Sequence, residues 1–291
     1  MLNMLTVDVE DWFHVQAFSD VYPRSTWDSQ RTRLIGNLLR TLDILDEYET
    51  KATFFVLGWV AQKFPEVVAL ISEKGHEIAS HSQFHRLVYT LDREEFKEDL
   101  QQSILHIESA ADITVQGYRA PSFSIRQDLK WVWEVFAECG IKWDSSVFPV
   151  RHDTYGSPSA PRFPYRVEPE PGISILEIPP ATVRFMGVNI PVAGGGYLRL
   201  FPYWFTRRAI RKINQEGHPA TVYFHPWEID VHQKRVNAKF KSRFRHYTNL
   251  KTFERKLRMM LAEFRFASIS EVMKLYDGKT DHAKASKRDA G

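Results

Sequence analysis

Short apolar runs alternate with amphipathic helical stretches, and this alternation constrains the fold more than any other feature of the chain. Strand-like runs occur at 2–9, 52–58 (ATFFVLG), 76–80 (HEIAS), 115–120 (VQGYRA), 173–179 (ISILEIP) and 220–225 (ATVYFH). Helical patterns fill several of the gaps. Residues 30–48 set Leu34, Leu38, Leu42 and Leu45 on one face, at spacings of four and three. PEVVALISEKG has Pro65 near its start and Gly75 just past its end, the usual asymmetry of helix termini. Asp92 stands three residues before Glu95, which predicts a capping box with Asp in the cap position. DLKWVWEVFAECG and FTRRAIRKINQEG both end in glycine, and a last helix is expected over about 249–264. Strands separated by helices are joined by crossovers, which lay them parallel. The pattern therefore predicts an α/β fold on a largely parallel sheet, open or closed into a barrel. The length of 291 residues suits a barrel in one domain, here bounded at about 1–278.

Residues 149–202 break the rhythm. They are rich in Pro and Gly, include PVAGGGYLRLFPYW, and read as a long excursion that shapes a site. The end, GKTDHAKASKRDAG, has few apolar residues, so 279–291 is expected to be a disordered tail. A net charge of +3 on scattered basic residues demands neither nucleic acid nor a membrane surface as partner. The densest basic run, Lys234 to Arg245, reads as a solvated loop. A single cysteine, Cys139, excludes an intramolecular disulfide and a multi-thiolate zinc site, and reads as a small core residue. No apolar stretch reaches the roughly 18 residues of a transmembrane helix. The first strand leaves no room for a signal peptide, and a cytoplasmic protein is the expectation. Nothing in the chain speaks to its oligomeric state.

Four stretches carry chemistry. LTVDVEDW, residues 5–12, places three acids at 8, 10 and 11. In a strand, Asp8 and Glu10 share a face, and two like charges so close call for a proton, a cationic side chain or a metal, unless the strand simply runs out into a solvated turn. HSQFH sets His81 and His85 four apart, on one face of a helical turn, where both can reach one ion or lie in a polar surface turn. Imidazoles with a carboxylate suit zinc, nickel, cobalt or iron. GYRAPSF places Arg119 at a strand end, where its guanidinium could fork onto a carboxylate or face solvent. VYFHPWE ends a strand in His225, a candidate general acid or a packed histidine. All four lie beyond the carboxyl ends of expected parallel strands, where such folds gather ligands.

In order and spacing these stretches resemble the NodB-homology polysaccharide deacetylases, carbohydrate esterase family four. That family reads Thr-Phe-Asp-Asp-Gly, then a His-x-x-x-His form, then Arg-x-Pro-x-Tyr/Phe, then Leu-x-His. This chain has TVDVED at 6–11, HSQFH at 81–85, RAPSF at 119–123 and YFH at 223–225. TVDVEDWFHV, WDSSVFP and GGGYLRLFPYW are closest to the subgroup encoded with exopolysaccharide and exosortase systems. The resemblance, spanning about 1–275, implies a distorted (β/α) barrel of the NodB-homology type. It implies a metal-dependent hydrolase that removes the acetyl group from an N-acetylated amino sugar, in a polysaccharide or a glycolipid-linked precursor. Asp8 would be the base for a metal-activated water, and Arg119 would hold Asp8. His81 and His85 would be ligands of a divalent metal, zinc first, with nickel or cobalt as options. His225 would protonate the leaving amine, and the backbone amide near Phe123 would steady the oxyanion. The family's adjacent Asp-Asp is split here by Val9. The shared strand face favours Glu10 as the third ligand, with Asp11 as the alternative if the strand ends early. Asp144 in WDSS is a weak candidate partner for His225 and otherwise an exposed acid. Trp12, Trp204 and Trp227 are candidates for stacking on sugars. His14 and His76 are expected to pack or face water. The competing readings are a hydrolase of a small amide or cyclic ureide, and an idle glycan-binding protein.

Overall fold

The structure, a computed structural model, describes residues 1–276 except 127, 153–154 and 193, together with the pair 281–282. Strands follow in the order β1 (Leu2–Val9), β2 (Thr53–Val56), β3 (Glu77–Ser80), β4 (Gly117–Tyr118), β5 (Trp143–Asp144), β6 (Tyr165–Val167), β7 (Ile175–Glu177), β8 (Thr182–Phe185), β9 (Val188–Pro191), β10 (Thr221–Phe224) and β11 (Arg265–Ala267). Helices are α1 (Leu34–Glu47), α2 (Gly58–Lys63), α3 (Pro65–Glu73), α4 (Arg93–Ala110), α5 (Trp131–Glu138), α6 (Gly195–Leu200), α7 (Tyr203–Gln215), α8 (Phe240–Tyr247), α9 (Leu250–Glu263) and α10 (Ile269–Leu275). The expected helices all form, and the Asp92–Glu95 capping box is present in full. Cys139 is half-buried at the end of α5.

The sheet runs β10-β1-β2-β3-β4-β5-β7-β6, parallel except where β6 turns back against β7, and β11 joins β1 as well. It curls as a half-barrel without closing among the described residues. The α/β barrel expectation therefore holds in its distorted, open form. β1 is central and buried along nearly its whole length, as a parallel strand covered on both faces must be. Leu5, Val7 and Val9 point outward into the core shared with the helices, whereas Met4 points inward with Phe55 and Ala79. Ile269 and Val272 of α10 close that inner face at one end. By the period of two, Thr6 and Asp8 continue the inward row toward the carboxyl end of β1.

The excursion at 149–202 is more structured than a loop. It holds β6, β7, α6 and the antiparallel hairpin β8–β9. Of the expected disordered tail, only Asp281–His282 are described, paired with Tyr165 and Arg166. The rest of 279–291 lies outside the described residues.

Candidate active site

β1 ends at Val9, and the Glu10 N–H closes a tight turn onto the Asp8 carbonyl at 2.9 Å. The early end does not hand the inner position to Asp11. Glu10 Oε1 lies 3.2 Å from His81 Nε2 and 3.3 Å from His85 Nε2. Asp11 turns away and caps α1 from a distance. Its carboxylate accepts the N–H groups of Trp12 (2.8 Å), Arg33 (2.7 Å) and Leu34 (3.1 Å) and the Thr32 hydroxyl (2.7 Å). The Arg33 and Leu34 N–H groups stand at the start of α1, where backbone donors have no partner within the helix. The Asp11 alternative is thereby disfavoured by geometry, though the turn, not a continued strand face, delivers Glu10.

His81 and His85 converge without a helical turn, which corrects the spacing argument. Residues 81–85 form a loop in which Ser82 (φ 73°) and His85 (φ 53°) are left-handed. Such backbone persists only where its surroundings fix it. Here the N–H groups of Gly58 and Trp59 donate to Ser82 and Gln83 carbonyls, both at 2.9 Å, and Asp99 accepts the Gln83 N–H at 2.9 Å. A Cβ on Gly58 would sit 1.9 Å from Gln83 Oε1, so only glycine lets α2 approach this closely.

The His81 Nδ1–H donates to the Arg119 carbonyl at 2.7 Å, since a carbonyl can only accept. A neutral ring then directs its Nε2 lone pair at a carboxylate oxygen. That contact is favourable only with a cation between or beside them, either a proton or a metal. Burial alone would raise the Glu10 carboxyl, but the His85 charge and the hydrogen bonds of His81 and His85 outweigh it. They hold Glu10 well below the usual carboxylate range. Ligand-type atoms of Glu10, His81 and His85 all lie within 4.8 Å of one another. This donor set, two imidazoles and one carboxylate with a fixed tautomer, fits a divalent transition metal.

Asp8 sits beside this cluster under the fully buried Arg119. One guanidinium nitrogen donates to Asp8 Oδ1 at 2.6 Å and to Thr6 Oγ1 at 2.8 Å. The others reach the carbonyl (3.2 Å) and hydroxyl (2.8 Å) of Ser145, and the group lies 4.0 Å over the Phe55 ring. The contact with Asp8 is therefore single, not a fork, and leaves Oδ2 facing His225 Nε2 at 3.8 Å. The Phe123 N–H donates to the Ala120 carbonyl at 3.0 Å, so the expected oxyanion donor is committed to its own turn.

His225 lies 3.7 Å from Glu10 Oε1 through Nε2, while its Nδ1 meets Glu228 Oε2 at 3.1 Å. Glu228 also accepts the His225 backbone N–H at 3.0 Å and pairs with Arg199 Nε at 2.5 Å. Burial opposes a charge on His225. The Glu228 hydrogen bond and the charges of Glu10, Glu228 and Asp8 overcome it and raise the ring to about 9. Asp144 takes no part. It is fully buried, not exposed, and accepts the Ser146 hydroxyl (2.6 Å) and N–H (3.1 Å). Glu228 had a local signal, a glutamate three residues after His225 with Pro226 between, the pattern of a capped turn. Arg199 had none. Trp12 and Trp227 are buried, Trp227 between His225 and His246, and of the three tryptophans only Trp204 is exposed. His14 and His76 are buried and pack on aromatic rings.

Residues 25–142 match the polysaccharide deacetylase family. Residues 145–274 match a domain of unknown function, DUF3473. A peptidoglycan-N-acetylglucosamine deacetylase of Bacillus cereus is 31% identical over 96 residues, covering 33% of this chain and 35% of that protein. A chitooligosaccharide deacetylase of Rhizobium leguminosarum is 33% identical over 79 residues, 27% of this chain and 37% of its own length. The chain thus spans about a third of the length of these curated relatives. The crystal structure of a candidate polysaccharide deacetylase from Mycobacterium smegmatis superposes with a TM-score of 0.64 at 20% identity, over 99% of this chain and 94% of that one. The deacetylase fold therefore extends through the half that the deacetylase family does not reach by sequence.

Proposed function

We propose that the protein is a metal-dependent hydrolase that removes acetyl groups from an N-acetylated amino sugar, in a polysaccharide or its lipid-linked precursor. The single observation that carries this reading is the convergence of Glu10, His81 and His85 beside an Asp8–His225 pair. The deacetylases named among its relatives supply the substrate class. Its WDSSVFP and GGGYLRLFPYW wording supports the exopolysaccharide-associated subgroup. Glu10, His81 and His85 would hold the metal, zinc by ligand type. When bound, a divalent ion polarises an amide carbonyl and makes water more acidic.

The remaining steps belong to side chains. Arg119 fixes Oδ1 of Asp8, so Oδ2 takes the proton from the attacking water. His225, whose ring the Glu228 hydrogen bond and the neighbouring carboxylates push up, donates from Nε2 to the departing nitrogen. Glu228 holds the Nδ1 proton and aims the ring, and Arg199 holds Glu228. A protein that merely bound glycan would have no use for a buried base and acid facing one another.

The test is metal content together with acetate release from an acetylated glucosamine oligomer. Asp8→Asn should retain metal and lose about two to four decades of turnover. A purified protein with a full metal equivalent and no acetate release from any acetylated amino sugar overturns the reading.

A further inference from the structure

Between Val231 and Phe253 the chain has seven Lys or Arg residues (234, 235, 239, 241, 243, 245 and 251) and no Asp or Glu. The structure makes this run something other than the solvated loop expected from sequence. Its centre is the helix α8, with Phe240 81% and Phe244 53% exposed. The two rings stack along one face, 6.3 Å between centroids. At 100° per residue, Lys241 and Arg245 flank that stripe on one side and Lys239 and Arg243 on the other. All four are exposed. Asp20, itself exposed, is 3.3 Å from Lys239.

The helix is anchored from beneath. His246 is buried and stacks on Trp227 at 4.2 Å. Arg199 donates to the carbonyls of Arg245 (2.9 Å), His246 (2.7 Å) and Thr248 (2.9 Å), while its Nε holds Glu228. The Tyr247 hydroxyl accepts the Val236 N–H at 2.8 Å and donates to the Lys234 carbonyl at 2.7 Å. Exposed phenylalanines on a pinned helix are not waiting for an internal partner.

We infer that α8 docks the protein onto an anionic phospholipid surface. Cations flanking an apolar stripe match such a surface in both respects: aromatic rings enter the acyl boundary and basic side chains stay among the headgroups. A polyanion such as nucleic acid satisfies the cations but leaves the phenylalanines unexplained. The shared Arg199 ties the end of α8 to the acid side of the candidate site, which suits a substrate carried on lipid. The docking itself does not depend on the deacetylase reading.

Flotation of the full chain with vesicles tests it without any activity measurement, so hydrolysis and docking can fail separately. The protein should float with phosphatidylcholine vesicles containing about one-third phosphatidylglycerol and stay behind with phosphatidylcholine alone. Salt at about 1 M should release it. A Phe240→Ser, Phe244→Ser double variant should partition about tenfold or more weakly. Lys241→Gln with Arg243→Gln should lose about fivefold for each charge removed. Unchanged thermal melting would show that both variants are folded. Failure of the wild type to float overturns the inference, and so does equal flotation of the phenylalanine variant. Tight binding of an oligonucleotide that ignores the phenylalanines, with none to vesicles, overturns it in favour of a nucleic-acid face.

Discussion

Before Ser145, every candidate site residue lies in or just after a parallel strand: Asp8 and Glu10 at β1, His81 and His85 after β3, Arg119 after β4. After Ser145 only His225 does, following β10. The rest of its support is a glutamate in the next turn and an arginine of α6, 29 residues from that glutamate in sequence. In the first region, strand order brings groups together, because neighbouring parallel strands end at the same edge of the sheet. In the second, a side chain bridges between elements that the sheet does not align. The division by family falls at the same place, between 142 and 145. On the proposed reading, the first region assembles a metal-type cluster with its base, and the second an acid with its charge support.

The largest effects should come from breaking the first region. His81→Ala and Glu10→Ala should each lose most bound metal and bring acetate release to background. Asp11→Ala should keep its metal and instead lose stability by about 1–3 kcal/mol, since buried amide donors at the start of α1 lose their acceptor. Metal content and thermal unfolding of the three variants decide this. Metal loss in Asp11→Ala with retention in Glu10→Ala would reverse the two acids.

His225→Ala tests whether the regions divide the labour. Metal should stay, amide hydrolysis should fall by about two to four decades, and activated acetate esters should suffer less, because their alcohol leaves without a proton. Equal losses on amide and ester would make His225 a positioning residue.

Glu228→Gln sharpens the comparison within the second region. Removing this charge lowers the His225 pKa, and an acid must be protonated to act. The alkaline limb of the activity profile should therefore move toward lower pH, with turnover down about tenfold at neutral pH. In metal-free wild type the raised pKa has a second consequence. Stability from charged His225 is present below about 6.5 and is lost as pH rises toward about 9. That loss should be smaller in the variant. An unmoved limb would remove Glu228 from the acid's support.

Legibility followed the same divide. The alternation of runs at 2–9, 52–58 and 76–80 foretold the parallel strands, because buried parallel strands are continuous apolar segments. Asp8, Glu10, His81, His85 and Arg119 were found as motifs because each stands at the end of such a run. β6, β8, β9 and α6 went unseen, being short elements inside a Pro- and Gly-rich stretch with little periodicity. Arg199 was invisible because its partners, Glu228 and three carbonyls at the end of α8, are joined to it only by the fold. Asp144 was misjudged as exposed because a short acidic strand end reads like a turn. Burial there depends on β7 lying alongside.

That last residue allows the smallest and most specific comparison, between two pairs of neighbouring acids. Asp8 and Glu10 are surrounded by Arg119 and three histidines. Asp144 and Glu177 face each other as register partners in β5 and β7, with serine and backbone donors rather than an ion pair as their direct contacts, and Arg119 only nearby. Burial first, and then the Asp144 charge, hold Glu177 well above the usual carboxylate range, so a proton does there what cations do in the site. An acid whose folded pKa is raised contributes stability at low pH that fades as pH rises past its unfolded value. Glu177→Gln keeps an oxygen for the Val147 N–H and offers Asp144 an uncharged donor in place of the proton. The variant should match wild type near pH 4 and melt about 2–4 °C higher near pH 8, where wild type has lost that contribution. A uniform loss at both pH values would mean the pair is held by packing around two charges, and the contrast with the site would disappear.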